Sequence, residues 1–89
     1  IMALLDLLGR RNCLRILWEL RGANLRFRAL QAAAATNPSV LNSRLGELRK
    51  AGLVALNADG YQLTQAGRDL AELLMPLHAW SETWAVDLL

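Results

Sequence analysis

The sequence predicts a mainly α-helical domain that carries one small β-hairpin, and three observations predict it. Apolar residues recur three and four positions apart along most of the chain, and these stretches end at glycines. Two short β-prone stretches flank Asn57-Ala58-Asp59-Gly60, a tight-turn sequence. The apolar fraction is 54% in 89 residues, above the usual range of roughly 45–50%. That content excludes a disordered chain and fits one domain over residues 1–89, whose modest core makes an oligomer plausible from the start.

The elements follow in order. Met2–Leu8 forms a short helix whose Leu4, Leu5, Leu7 and Leu8 are too apolar to face water, and Gly9 ends it. Asn12 caps a second helix to about Arg21, with Leu14, Ile16, Leu17 and Leu20 packed and Gly22 as the stop. Asn24–Arg26 is short and extended. Phe27–Ala35 is a third helix, with Phe27, Leu30 and Ala34 at helical spacing. Asn37-Pro38 is a strong helix start, because Asn caps and Pro suits the first helical position. This fourth helix runs to about Ala51 and Gly52 closes it. Leu53–Leu56 and Tyr61–Leu63 are the hairpin strands. Thr64 caps a long last helix to about Val86, which Pro76 is expected to kink or divide.

The charge is segregated. Net charge is +2, yet residues 23–50 carry Arg26, Arg28, Arg44, Arg49 and Lys50 against Glu47 alone, while residues 51–89 carry Arg68 against Asp59, Asp69, Glu72, Glu82 and Asp87. The basic surplus falls on the third and fourth helices, which points to a polyanionic partner.

At roughly 100° per residue, Leu41, Leu45 and Leu48 fall within a roughly 60° arc, the buried face of the fourth helix. Ser39, Ser43, Gly46 and Lys50 lie opposite, flanked by Asn42 and Arg49. Ser and Asn bond base edges or phosphates, and Gly46 has no side chain to hold the helix away from DNA. A helix, hairpin and helix with this small polar face is the pattern of a winged helix-turn-helix. Ser39, Asn42, Ser43 and Gly46 are thus candidates to face bases or phosphates, and Arg26, Arg28, Arg44, Arg49 and Lys50 to neutralise phosphates. The expected partner is double-stranded DNA.

Several motifs carry a resemblance. Leu8-Gly9-Arg10-Arg11, Ile16-Leu17-Trp18-Glu19-Leu20, Arg26-Phe27-Arg28-Ala29-Leu30, the run Val40 to Val54 and the run Tyr61 to Leu70 stand in one order. In that order the chain resembles the HxlR family of bacterial transcription regulators, near the MarR group. The resemblance implies a dimeric DNA-binding repressor or activator whose third and fourth helices form the helix-turn-helix. Three places depart from it. Asn12 stands where the family often has Trp. The wing is a four-residue turn with Asp59 and no basic group, which weakens the expected wing-to-phosphate contact. Sensor members carry a reactive cysteine ahead of the first helix; Cys13 sits at a different place, so redox sensing is not expected to transfer. The acidic wing is also the best support for the rival reading, a winged-helix protein-interaction module without DNA binding.

Outside the helix-turn-helix, Leu73, Leu74, Leu77, Trp80 and Trp84 form a long apolar row on the last helix. With Leu4, Leu5 and Leu8 of the first helix they are expected to form a homodimer interface. The same Trp and Leu side chains can line a pocket for a small-molecule effector between subunits, though no polar group is placed to choose one. Cys13 has Arg11 and Arg15 nearby and could lie near a helix N-terminus, which would lower its pKa; the favoured reading is a small buried packing residue. One cysteine fits a reducing compartment. His78 is the sole histidine, without metal-ligand spacing around it. No nucleophile–base pair or phosphate loop is present, so neither an enzyme nor a cofactor is expected. Residues 1–8 are apolar but interrupted by Asp6, with no basic region before them, so no secretory signal is expected. No apolar run reaches the roughly 18 residues of a membrane span. The expected location is the cytoplasm, at the nucleoid.

Overall fold

The computed structural model describes residues 1–88. It places α1 at Met2–Leu8, α2 at Cys13–Leu20, α3 at Phe27–Ala33, α4 at Pro38–Lys50, β1 at Val54–Asn57, β2 at Gly60–Leu63 and α5 at Gln65–Leu88. This is a winged helix-turn-helix: α3 and α4 form the helix-turn-helix and β1–β2 the wing.

The core is built from α2, α3, α4 and the hairpin. Cys13, Ile16, Leu17 and Leu20 meet Leu30, Ala34, Leu41, Leu45, Leu48, Leu53, Val54 and Leu63. Each fully buried aliphatic side chain contributes about 1.5–3 kcal/mol. α1 buries no residue completely, and α5 buries only Gly67. Leu7, Leu8, Leu70 and Ala71 pack partly against the core and attach these two helices.

The strands pair antiparallel, Val54 with Leu63 and Asn57 with Gly60, so β1 begins and ends one residue later than its pattern indicates. The Asn24–Arg26 stretch is extended as expected. It joins the hairpin through Leu25, whose N–H and carbonyl both bond Tyr61 at 3.0 and 2.8 Å. Gly67 lets α5 close on the hairpin: a Cβ there would lie 2.1 Å from the Leu53 carbonyl oxygen.

The ends of α4 match its sequence signals. The Asn37 side chain accepts the Val40 N–H at 2.9 Å. At the other end, the N–H groups of Gly52 and Leu53 bond the carbonyls of Arg49 and Leu48, both at 3.0 Å, with Gly52 at φ 77. That is a Schellman ending. Helix α3 ends the same way, with Ala35 and Thr36 bonding Ala32 and Gln31. There the left-handed position is Ala35, at φ 52. It stops α3 two residues before its expected end.

Three further expectations are corrected. Asn12 stands at the cap position of α2, but at φ 68 and with no cap bond from its side chain. Leu14 is 40% exposed rather than packed, because it faces the open trough between α2 and α5. Pro76 does not divide α5; the Leu, Ala and Glu around it are strong helix formers and carry the helix through. Thr64 does cap α5, accepting the Gly67 N–H at 3.1 Å while its hydroxyl donates to the Gly52 carbonyl.

Candidate nucleic-acid interface

Helix α4 presents two unlike faces. Leu41, Leu45 and Leu48 are buried, while Ser39, Asn42, Ser43, Gly46, Arg49 and Lys50 are exposed together. No atom lies within 4 Å of where a Cβ on Gly46 would stand. The middle of this face is therefore backbone and small polar side chains, and Arg49 and Lys50 supply charge in the last turn. Neither has a carboxylate within ion-pair distance among the described residues.

The other sequence-selected cations divide. Arg28 is exposed on α3 and borders an open hollow shared with Gln31, Thr36 and Pro38, at the mouth of the helix-turn-helix. Arg26 is exposed, and its guanidinium donates to the Ala58 carbonyl at the wing tip, 3.0 Å away. The wing has no cation of its own, so Arg26 brings one to it from the start of α3. Arg44 is turned elsewhere. Its Nε donates to the Arg11 carbonyl at 2.9 Å and its Nη1 pairs with Glu47 at 2.6 Å. That removes it from the face that Ser43, Gly46 and Lys50 share.

Sequence reasoning missed the groups that hold this unit from behind. Arg10 pairs with Glu47 at 2.7 Å. Asn12 donates to the Ala34 carbonyl at 3.3 Å and accepts from the Thr36 hydroxyl at 3.4 Å. Arg15 donates to the Ala33 carbonyl at 3.0 Å. Two open carbonyls at the end of α3 are thereby satisfied, one by Asn12 just before α2 and one by Arg15 within it. The Asn12 departure was visible in the sequence, but its role was not, since the partners lie 22 and 24 residues away.

Cys13 lies beneath this cluster with no exposed surface. Burial pushes its thiol pKa up, and nearby Glu47 adds to that; Arg44 and Arg10 pull the other way and lose. The packing reading therefore fits, and the lowered pKa does not occur.

The apolar row on α5 is open. Leu73 is 73% exposed, Trp80 59% and Trp84 51%, and Leu77, Leu4 and Leu5 are exposed with them, while Leu8 and Leu74 are half-buried. The Trp80 and Trp84 rings stack at 5.8 Å. No group of metal-binding side chains forms among the described residues.

Comparisons with known proteins agree with this architecture. The HxlR-like helix-turn-helix profile matches residues 7–88. Among solved structures, the chain is similar to the quinone-bound YodB from B. subtilis, with TM-score 0.85 and 25% identity over 92% of this chain and 94% of that one. It is similar to reduced HlyU from Vibrio cholerae, with TM-score 0.72 and 27% identity over 85% of each chain. A MarR family protein from Mycobacterium tuberculosis matches with TM-score 0.75 and 27% identity, over 98% of this chain and 68% of that chain. No curated protein matches the chain.

Proposed function

The chain belongs to the HxlR-like helix-turn-helix family of transcription regulators, and we propose that it binds DNA sequence-specifically as a homodimer, with α4 in the major groove. The observation that carries this reading is the open, small polar face of α4, with free cations at its end. Ser39, Asn42 and Ser43 are the contacts to bases or phosphates, and Gly46 admits the groove wall. Arg28, Arg49 and Lys50 neutralise phosphates, and Arg26 does so beside the wing. Arg44 makes at most a secondary contact, because its guanidinium is already engaged.

The dimer is supported by the uncovered row on α5 together with α1. Leu4, Leu5, Leu8, Leu73, Leu74, Leu77, Trp80 and Trp84 would meet their copies across a two-fold axis. An effector has room in the trough between α2 and α5, lined by Leu14, Trp18, Leu77 and His78 and about 400 Å³ in volume. Among the described residues no helix is long and apolar enough to cross a membrane, and a DNA-binding regulator would work in the cytoplasm, at the nucleoid.

The test is selection of bound fragments from a random duplex pool. The proposal expects an enriched inverted repeat, its half-sites about one helical turn or a multiple apart, about 34–36 Å per turn. A pool that stays random, with no salt-dependent binding, would favour a winged-helix protein-interaction module.

A further inference from the structure

Glu47 is the only acidic residue of α4, a helix that otherwise carries Arg44, Arg49 and Lys50. A carboxylate there repels phosphates, so its place needs another account. The structure supplies one in the segment from Arg10 to Arg15. Arg10 and Arg44 hold Glu47 from two sides, at 2.7 and 2.6 Å. Arg44 also bonds the Arg11 carbonyl, Asn12 bonds Ala34 and Thr36, and Arg15 bonds Ala33. One short segment thus grips the end of α3, the turn after it and the middle of α4 at once. The same segment is the covalent link to α1, which buries nothing completely and is tied to the body through Leu7 and Leu8.

We propose that Arg10, Asn12, Arg44 and Glu47 are positioning residues that set the angle of α4 against α3 and against the α1 arm, and that Glu47 serves DNA reading as their anchor. The inference rests on the DNA-binding proposal above. It is open to test because it reverses the sign that charge alone would give. Removing a negative charge from a basic surface tightens binding to every duplex. Removing an anchor lets α4 rock, and loosens binding to the chosen sequence.

The experiment compares wild type, Arg10→Gln, Glu47→Gln, the double variant and Arg10→Lys. Each binds a duplex enriched by wild type and a scrambled duplex at one salt concentration, with melting temperature and oligomeric state measured alongside. Arg10 is half-exposed, so Arg10→Gln keeps the test alive should Glu47→Gln fail to fold. Each single Gln variant lowers the preference for the enriched duplex by about tenfold, and the double variant lowers it no further, as expected of two residues acting through one contact. Glu47→Gln binds the enriched duplex more weakly than wild type while binding the scrambled one at least as well. Arg10→Lys keeps most of the preference. Glu47→Gln tightening on both duplexes with an unchanged ratio overturns the proposal. Wild type enriching no duplex removes the DNA-binding reading instead, and amide hydrogen exchange then decides: Arg10→Gln must speed exchange over residues 34–40, and unchanged protection overturns the anchor.

Discussion

Ala35 holds φ 52 at the end of α3, a conformation that costs a residue with a Cβ about 1–2 kcal/mol. Gly52 closes α4 in the same motif without that cost. Ala35→Gly is therefore expected to stabilise the fold by about 1 kcal/mol, the relief of strain exceeding the added freedom of the unfolded chain. A melting curve shows this as a rise of about 4–8 °C, and a lowered melting temperature would contradict the assigned strain. Cys13 is fixed by burial in the same way. Native protein should react with a thiol reagent only as fast as it opens, and rapid labelling would refute the burial. The folded state holds the thiol proton more tightly than the unfolded chain does, because its pKa is raised. Its contribution to stability is thus complete below the ordinary thiol pKa and is lost as pH rises from there through the raised folded value.

At the scale of the element, α4 was legible because its signals are local. Asn37, Pro38 and Gly52 mark its ends, and the period of Leu41, Leu45 and Leu48 fixes its faces. Strand β1 shifted by one residue and β2 begins one residue early, since the pairing of Val54 with Leu63 and of Asn57 with Gly60 is set across the hairpin rather than along a strand. The bracket behind α4 was not legible. Arg10 and Glu47 are 37 residues apart, and Asn suits a helix cap and a left-handed residue alike. Arg26 and Ala58 are 32 residues apart and Arg44 and Arg11 are 33 apart, which hid the wing-tip contact and one of the two partners of Arg44; the other, Glu47, stands one helical turn away. The division bears on binding. Arg49→Ala and Lys50→Ala should weaken binding to all duplexes alike and flatten the salt dependence by roughly one unit per lost phosphate contact. Asn42→Ala should instead relax sequence preference, at about 1–3 kcal/mol of discrimination. Titrations of both classes of variant against two duplexes separate these outcomes, and an equal effect of Asn42→Ala on every sequence would place Asn42 on phosphate.

The whole molecule joins a compact helix-turn-helix body to a long last helix with an exposed apolar row. Helix α5 has 24 residues, roughly 36 Å at 1.5 Å per residue, beside a longest molecular extent of 43 Å. Its exposed Trp80 and Trp84 support the proposed dimer. Glu in place of Leu77 and Trp80 would bury charge in the proposed interface and should give monomers or insoluble protein; sedimentation showing monomers for wild type as well would remove the dimer. Basic charge on α3 and α4 and acidic charge beyond them would turn the reading face of each dimer towards DNA. The central claim is that the open face of α4 enters the groove, and the binding of Gly46→Glu tests it most directly. Nothing lies near the Cβ position of Gly46, so the fold and dimer should survive the substitution, while bulk and negative charge meet the phosphates. Measured against wild type on one duplex at one salt concentration, Gly46→Glu should bind far more weakly with its melting temperature retained; binding as tight as wild type would contradict the assignment of α4 as the reading helix.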